Sequence, residues 1–177
     1  MVAKEISLAS NNAGVLAVRA GSNAAGFGAL AEFLDQLARK IIQGANDINR
    51  HAMAVSKLTS NTLRTKNAQD QYVIATQKAH NAEFVSSLAA NQHKITNKKR
   101  QEDEAIVSQT KRLGRCLEDL KQEIDVGKVL ASMSLVEASQ AGKDFTAQLS
   151  DNARNIGSAI QRIEVHVAKA LSLLKKG

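Results

Sequence analysis

From Leu30 onward the large apolar residues recur at alternating steps of four and three. Leu30, Leu34, Leu37, Ile41, Gly44, Ile48, His51, Val55 and Leu58 form this stripe, and all but Gly44 and His51 are large and apolar. An average step of 3.5 residues keeps one face of a helix against a partner helix and predicts left-handed supercoiled packing. The same count continues through Thr62, Thr65, Gln69, Tyr72, Thr76, Ala79, Glu83, Ser86 and Ala90, where the stripe turns polar. A helix with a polar seam depends on its neighbours for stability.

The stretch "NQHKITN", Asn91 to Asn97, combines weak helix formers with residues able to cap, and predicts a turn. The stripe then resumes at Leu113, Leu117, Leu120, Ile124, Gly127, Ala131, Ser134, Ala138, Ala141 and Phe145. Successive four-residue steps through Leu149 and Ala153 read as a stutter, which unwinds a supercoil locally without ending the helix. Ile156, Ile160, Ile163, Val167, Ala170 and Leu174 complete the pattern. The elements expected are a short helix at about 3–20, a tight turn at 21–25, and long helices at about 26–90 and 98–176. The fold class is all-α, an elongated antiparallel helical hairpin or coiled-coil bundle completed by dimerisation. Residues 1–60 form one hairpin region and 61–177 the long coiled-coil helices of one continuous helical unit.

Composition sharpens this. The 177 residues contain no proline and no tryptophan, and aromatic residues make up 3%. Without proline there is no strong helix breaker. With so few aromatic residues, narrow seams of Ala, Leu, Ile and Val must supply the core. The net charge is +7, but bases and acids alternate along the chain. The dense run "KKRQEDE", Lys98 to Glu104, reads as a solvated helix face. Nucleic acid is therefore not an expected partner. Cys116 has no second cysteine to pair with, which points to a reducing compartment. It sits among leucines as a small seam residue. No apolar run is long enough to span a membrane, and the expected location is the cytoplasm.

Three of the ten glycines, Gly21, Gly26 and Gly28, fall within eight residues. Each costs a helix about 1 kcal/mol relative to alanine. Gly21 can end the first helix in the left-handed conformation. Gly26 and Gly28 can let two helices approach closely after the turn, with Phe27 plugging the tip of the hairpin.

The order Asn12, Ala13, Val15, Ala17, then "RAG" (Arg19, Ala20, Gly21), then "GF" (Gly26, Phe27), then Leu30–Ala31 and Leu37–Ala38 resembles the signalling tip of bacterial chemoreceptors, the methyl-accepting chemotaxis proteins. The spacing matches the pattern "NAAxEAARAGExGRGFAVVAxEVRxLA" without a gap from about Ile6 to Ile48. The resemblance implies an antiparallel hairpin at the end of a dimeric four-helix coiled coil. It also implies partners: a chemotaxis histidine kinase and its coupling protein, bound through the tip. By position, Leu8, Asn12, Val15 and Arg19 would form the contact side of the first helix. Ala29 would stand where the family has a partner-facing valine.

Departures from the pattern weaken the signalling half of this expectation. Leu16 stands at an acidic position, Ser22 at the turn glutamate, Ala25 at a basic position, and Lys4 and Asn11 at apolar contact positions. No Glu/Gln pairs flanked by small residues, as such receptors methylate, are present. The descending helix also lacks the long ascending arm of a receptor. Either the C-terminal helix folds back along it, or two chains share a bundle, or the chain is a piece of a longer receptor or a shortened relative.

Catalytic chemistry is not expected. His51, His80, His93 and His166 show no i, i+4 pairing, and the glycines follow no strand, so neither a metal site nor a phosphate loop is indicated. No cofactor and no enzyme activity are expected. Two readings remain: a soluble chemoreceptor-like signalling protein, or a helical scaffold that keeps the tip without its signalling. A third, basic helices binding nucleic acid or a membrane, is weaker, since the sequence shows no one-sided Lys/Arg face with aromatic anchors.

Overall fold

The computed structural model describes residues 2–78 and 85–176. Its elements are α1 (Val2–Ala20), a 3-10 turn (Gly21–Ala24), α2 (Ala25–Lys78), α3 (Val85–Gln140) and α4 (Lys143–Leu174). The described residues are all-helical, with no strand among them. The first helix and the glycine turn match the expected 3–20 and 21–25. The later boundaries do not.

Two boundaries need correction. The turn expected at Asn91–Asn97 is absent, because α3 runs through it. Low propensity there is outweighed by packing against α2, where Gln69 donates to Thr96 and Ile95 is half-buried. Part of the expected 26–90 helix, residues 79–84, lies outside the described residues, and Val85 already belongs to α3. The second correction is at Ala141–Gly142. The four-residue steps there are not a stutter in a continuous helix. Gly142 takes φ 83°, ψ 154° and ends α3. Its carbonyl then accepts the amides of Phe145 (3.1 Å) and Thr146 (3.0 Å) to start α4.

The chain divides into two compact units, residues 1–48 with 114–177 and residues 49–113. In the first, four helical segments enclose one core, each antiparallel to the next. α1 joins α2 through Ser7 and Asp35. α2 meets α3 where Lys40 pairs with Glu123 at 3.0 Å. α3 meets α4 through Lys128 and Glu164, and α4 returns to α1 through Arg162 and Glu5. Ile6, Leu34, Ile41, Ile124, Leu149, Ile156 and Ile160 are fully buried among them. The expected seam positions Leu30, Leu34, Leu37, Ile41, Leu117, Leu120, Ile124 and Ala131 are all core. The C-terminal helix does fold back beside the first hairpin.

The two turns of this unit lie together. Ala17, Ala24, Phe27, Ala138, Ala141 and Leu149 share one buried cluster. Phe27 is fully buried within this cluster. A Cβ on Gly26 would stand where the Glu137 carboxylate sits, while one on Gly28 would meet only Ala17 at 3.8 Å. Gly26 is exposed and its neighbour is the free end of a flexible side chain, so neither glycine marks a close approach of helix backbones.

A regularity links the two hairpins. Buried positions of α1 have buried counterparts in α3 at one constant separation: Ala3 with Ile124, Ile6 with Gly127, Ser10 with Ala131, Ala13 with Ser134 and Ala17 with Ala138. The same separation relates Gly21 to Gly142, the two glycines with positive φ among the described residues. α3 thus repeats the burial pattern of α1 up to its turn.

In the second unit, α2 and α3 alone pair antiparallel. His51 Nδ1 and Gln109 Oε1 lie 2.9 Å apart. Val55, Leu58, Ile95 and Ile106 are only half-buried, and Thr65 is the buried seam residue among the described ones. Two helices without a third neighbour offer each other one stripe of contact, which explains the modest burial.

Candidate partner-binding face

α1 turns Ala3, Ile6, Ser10, Ala13 and Ala17 inward. Leu8, Asn12, Val15 and Arg19 are offset from these by roughly half a turn of the helix and share the opposite face. All four are exposed, and two of them are large and apolar: Leu8 is 65% and Val15 55% exposed. Ala29 of α2 is exposed as well. The structure therefore gathers the four α1 positions into one row, with Ala29 on the next helix.

Beside this row lies an open groove of about 740 Å³ between α1 and α2. Val15, Val18 and Arg19 edge it from α1, and Glu32, Asp35, Gln36 and Arg39 from α2. Ser10, Asn11, Gly14, Gly28 and Ala31 complete its lining. The small residues create the depression, since a Cβ built on Gly14 would meet nothing within 4 Å. Val15 and Arg19 are the expected residues that reach the groove. Gly14, Val18, Asp35 and Arg39 are groove residues that the sequence pattern did not single out.

Asp35 anchors the charged side. Ser7 Oγ donates to its Oδ1 at 2.7 Å, and Arg39 donates through Nε (2.9 Å) and Nη2 (2.8 Å) to Oδ2. The Ser7 bond, then Arg39, hold the carboxyl below its ordinary value of 3.8, against the opposing effect of partial burial. The groove thus has apolar lips, a small-residue lining and fixed charges, which suits side chains from a partner helix.

Two departures from the chemoreceptor pattern now have physical readings. Leu16, at the acidic position, packs against the buried tip cluster. Ser22 and Ala25 are exposed at the turn. The constant separation also identifies a face absent from the sequence expectations. Leu8, Asn12, Val15 and Arg19 correspond to Val129, Met133, Val136 and Gln140 of α3, and all four of these are exposed. The matching spacing of "VLAVRAG", Val15 to Gly21, and "VEASQAG", Val136 to Gly142, is the signal that reveals it.

Among the described residues, no three His, Cys, Asp or Glu side chains gather as a metal site. Among them, too, no helix is long and apolar enough to cross a membrane. No known protein family, curated protein or solved structure matches the chain.

Proposed function

We propose that the chain is a helical protein-binding module of chemoreceptor type, which presents the α1 face and the α1–α2 groove to a chemotaxis histidine kinase and its coupling protein. The observation that carries this reading is the single exposed row of Leu8, Asn12, Val15 and Arg19 beside a groove at the glycine turn. The partner's identity rests on the chemoreceptor-like residues alone. The reading makes the protein a cytoplasmic, non-enzymatic component built as a coiled-coil bundle.

Self-association belongs to the same proposal. The first unit closes its core within one chain, so a homodimer would use outer faces. Val126, Val129, Met133 and Val136 recur on the outside of α3 at steps of three, four and three, and all are exposed. That spacing suits helix-on-helix packing.

The scaffold reading draws on a specific observation of its own: Leu16 serves the core instead of supplying an acid beside Arg19. Binding of wild type and Arg19→Ala to the purified kinase–coupler pair separates the two readings. The proposal expects Arg19→Ala to lose about 2 kcal/mol or more of binding with an unchanged melting curve. Wild type that fails to bind either protein would leave the scaffold reading.

A further inference from the structure

The charge of the chain is divided unequally between the two units. Residues 49–113 carry 11 of the 24 Lys and Arg and 5 of the 17 Asp and Glu, a net +6 out of +7. In the linear sequence these bases look dispersed. The α2–α3 pairing collects them.

Arg64 and Lys98 line one shallow groove between the two helices, with Asn61, Ala68 and Ile95. That groove marks one side of the pair. Arg50, Lys57 and Arg64 recur every seven residues, and residues seven apart stay on the same side of a seam with a 3.5-residue period. Lys94 lies one turn from Lys98, and Arg112 lies two heptads from it. All six bases are exposed. The acid on this side among the described residues is Glu102, which is half-buried. Asp103 and Glu104 are engaged by Lys99 and Arg100. Lys57, Arg64, Lys94, Lys98 and Arg112 make no ion pair among the described residues.

We propose that this side of the second unit is a polyanion-binding face, and that its ligand is the phosphate backbone of double-stranded nucleic acid. A row of Lys and Arg with regular spacing matches a line of repeating negative charge. Among the described residues of the second unit, no exposed aromatic side chain accompanies the six bases to stack on unpaired bases. Nor, among the described residues, is there a continuous apolar stripe to insert among lipid tails: Met53 stands beside Arg50 and Lys57, but Leu63, Val73, Ile74 and Val107 are spread round the helices and do not continue it. Binding through phosphates alone is independent of base sequence and strongly dependent on salt.

The test is fluorescence anisotropy of the full chain with a labelled short DNA duplex of mixed sequence. Five phosphate contacts should weaken binding about 500-fold between about 50 and 200 mM salt. Arg64→Glu with Lys98→Glu should weaken it at least tenfold and flatten the salt dependence. The control is Lys66→Glu with Lys111→Glu, which changes net charge equally. Lys66 is two residues from Arg64, about 200° round the helix, and Lys111 is similarly displaced from Lys98. This control should bind within about threefold of wild type. Should the charge reversal impair folding, as judged by circular dichroism, Arg64→Gln with Lys98→Gln replaces it. Equal weakening by both doubles would reduce the effect to net charge and overturn the proposal. So would no binding at low salt. So would binding to phosphatidylserine vesicles that the duplex fails to compete away.

Discussion

Gly21 and Gly142 close equivalent turns, each four residues after a buried alanine, Ala17 and Ala138, and each with positive φ. Gly142 is the more demanding, because φ 83° with ψ 154° falls in a region that other residues scarcely enter. Gly142→Ala is expected to cost about 1–3 kcal/mol of stability. Gly21→Ala is expected to cost about 1–2 kcal/mol. Denaturant titration of each variant measures both. An unchanged midpoint for Gly142→Ala would mean that the α3–α4 turn does not constrain the first unit.

This pair also shows what was legible beforehand. Gly21 was readable because Gly26 and Gly28 follow it and the surrounding residues resemble the chemoreceptor tip pattern. Gly142 has no such company, and the apolar steps run across it without a break. Local pattern alone could not separate a helix end from a stutter there. The separation shared with Gly21 could have done so. The α1 row was legible by the same tip resemblance, and its exposure follows from helical spacing. The groove was not, because it depends on which small residues of α1 and α2 come opposite each other.

The weakness of the 62–76 seam was visible in its threonines and glutamines, and it has a structural consequence. Thr62 Oγ1 and Glu102 Oε2 are buried without a hydrogen-bond partner among the described residues. A buried polar atom left unpartnered costs about 1–3 kcal/mol. Thr62→Val should therefore stabilise the second unit, by about 1 kcal/mol. Amide hydrogen exchange should be faster at residues 55–70 than at residues 27–41, and Thr62→Val should slow it in the former alone. Faster exchange in the variant would show that the hydroxyl is satisfied in solution.

Asp35 should make the α1–α2 contact sensitive to acid. Its folded carboxyl lies below the ordinary 3.8 because the Ser7 hydroxyl and Arg39 favour the charged form. A depressed folded value stabilises the fold above the unfolded value, and that stabilisation is lost as pH falls through the folded one. Melting temperature should thus drop below about pH 4, with a component that Asp35→Asn removes. The neutral variant should be less stable than wild type at pH 7 and converge on it in acid. Parallel curves at every pH would assign the acid sensitivity to other carboxylates.

The same substitution should have opposite effects at Gly127 and Gly14. Both sit inside helices, where alanine gains about 1 kcal/mol of intrinsic propensity. At Gly127 a new Cβ would stand 2.7 Å from Leu37 Cδ2 and 3.0 Å from Ile160 Cδ1. Both neighbours are core residues, held by α2 and α4. Overpacking a full core costs about 1–3 kcal/mol, so Gly127→Ala should be destabilising on balance. At Gly14 the Cβ meets open space, and Gly14→Ala should raise stability by about 0.5–1 kcal/mol. Gly14 also lines the α1–α2 groove. Gly14→Leu fills that depression from an open position, so it should leave the melt near wild type while lowering affinity for a partner that seats there. Thermal melts and kinase–coupler binding, measured on the same samples, read the two effects separately. Undiminished binding by a stable Gly14→Leu variant would remove the groove from the interface and leave the outer row of α1 to carry it.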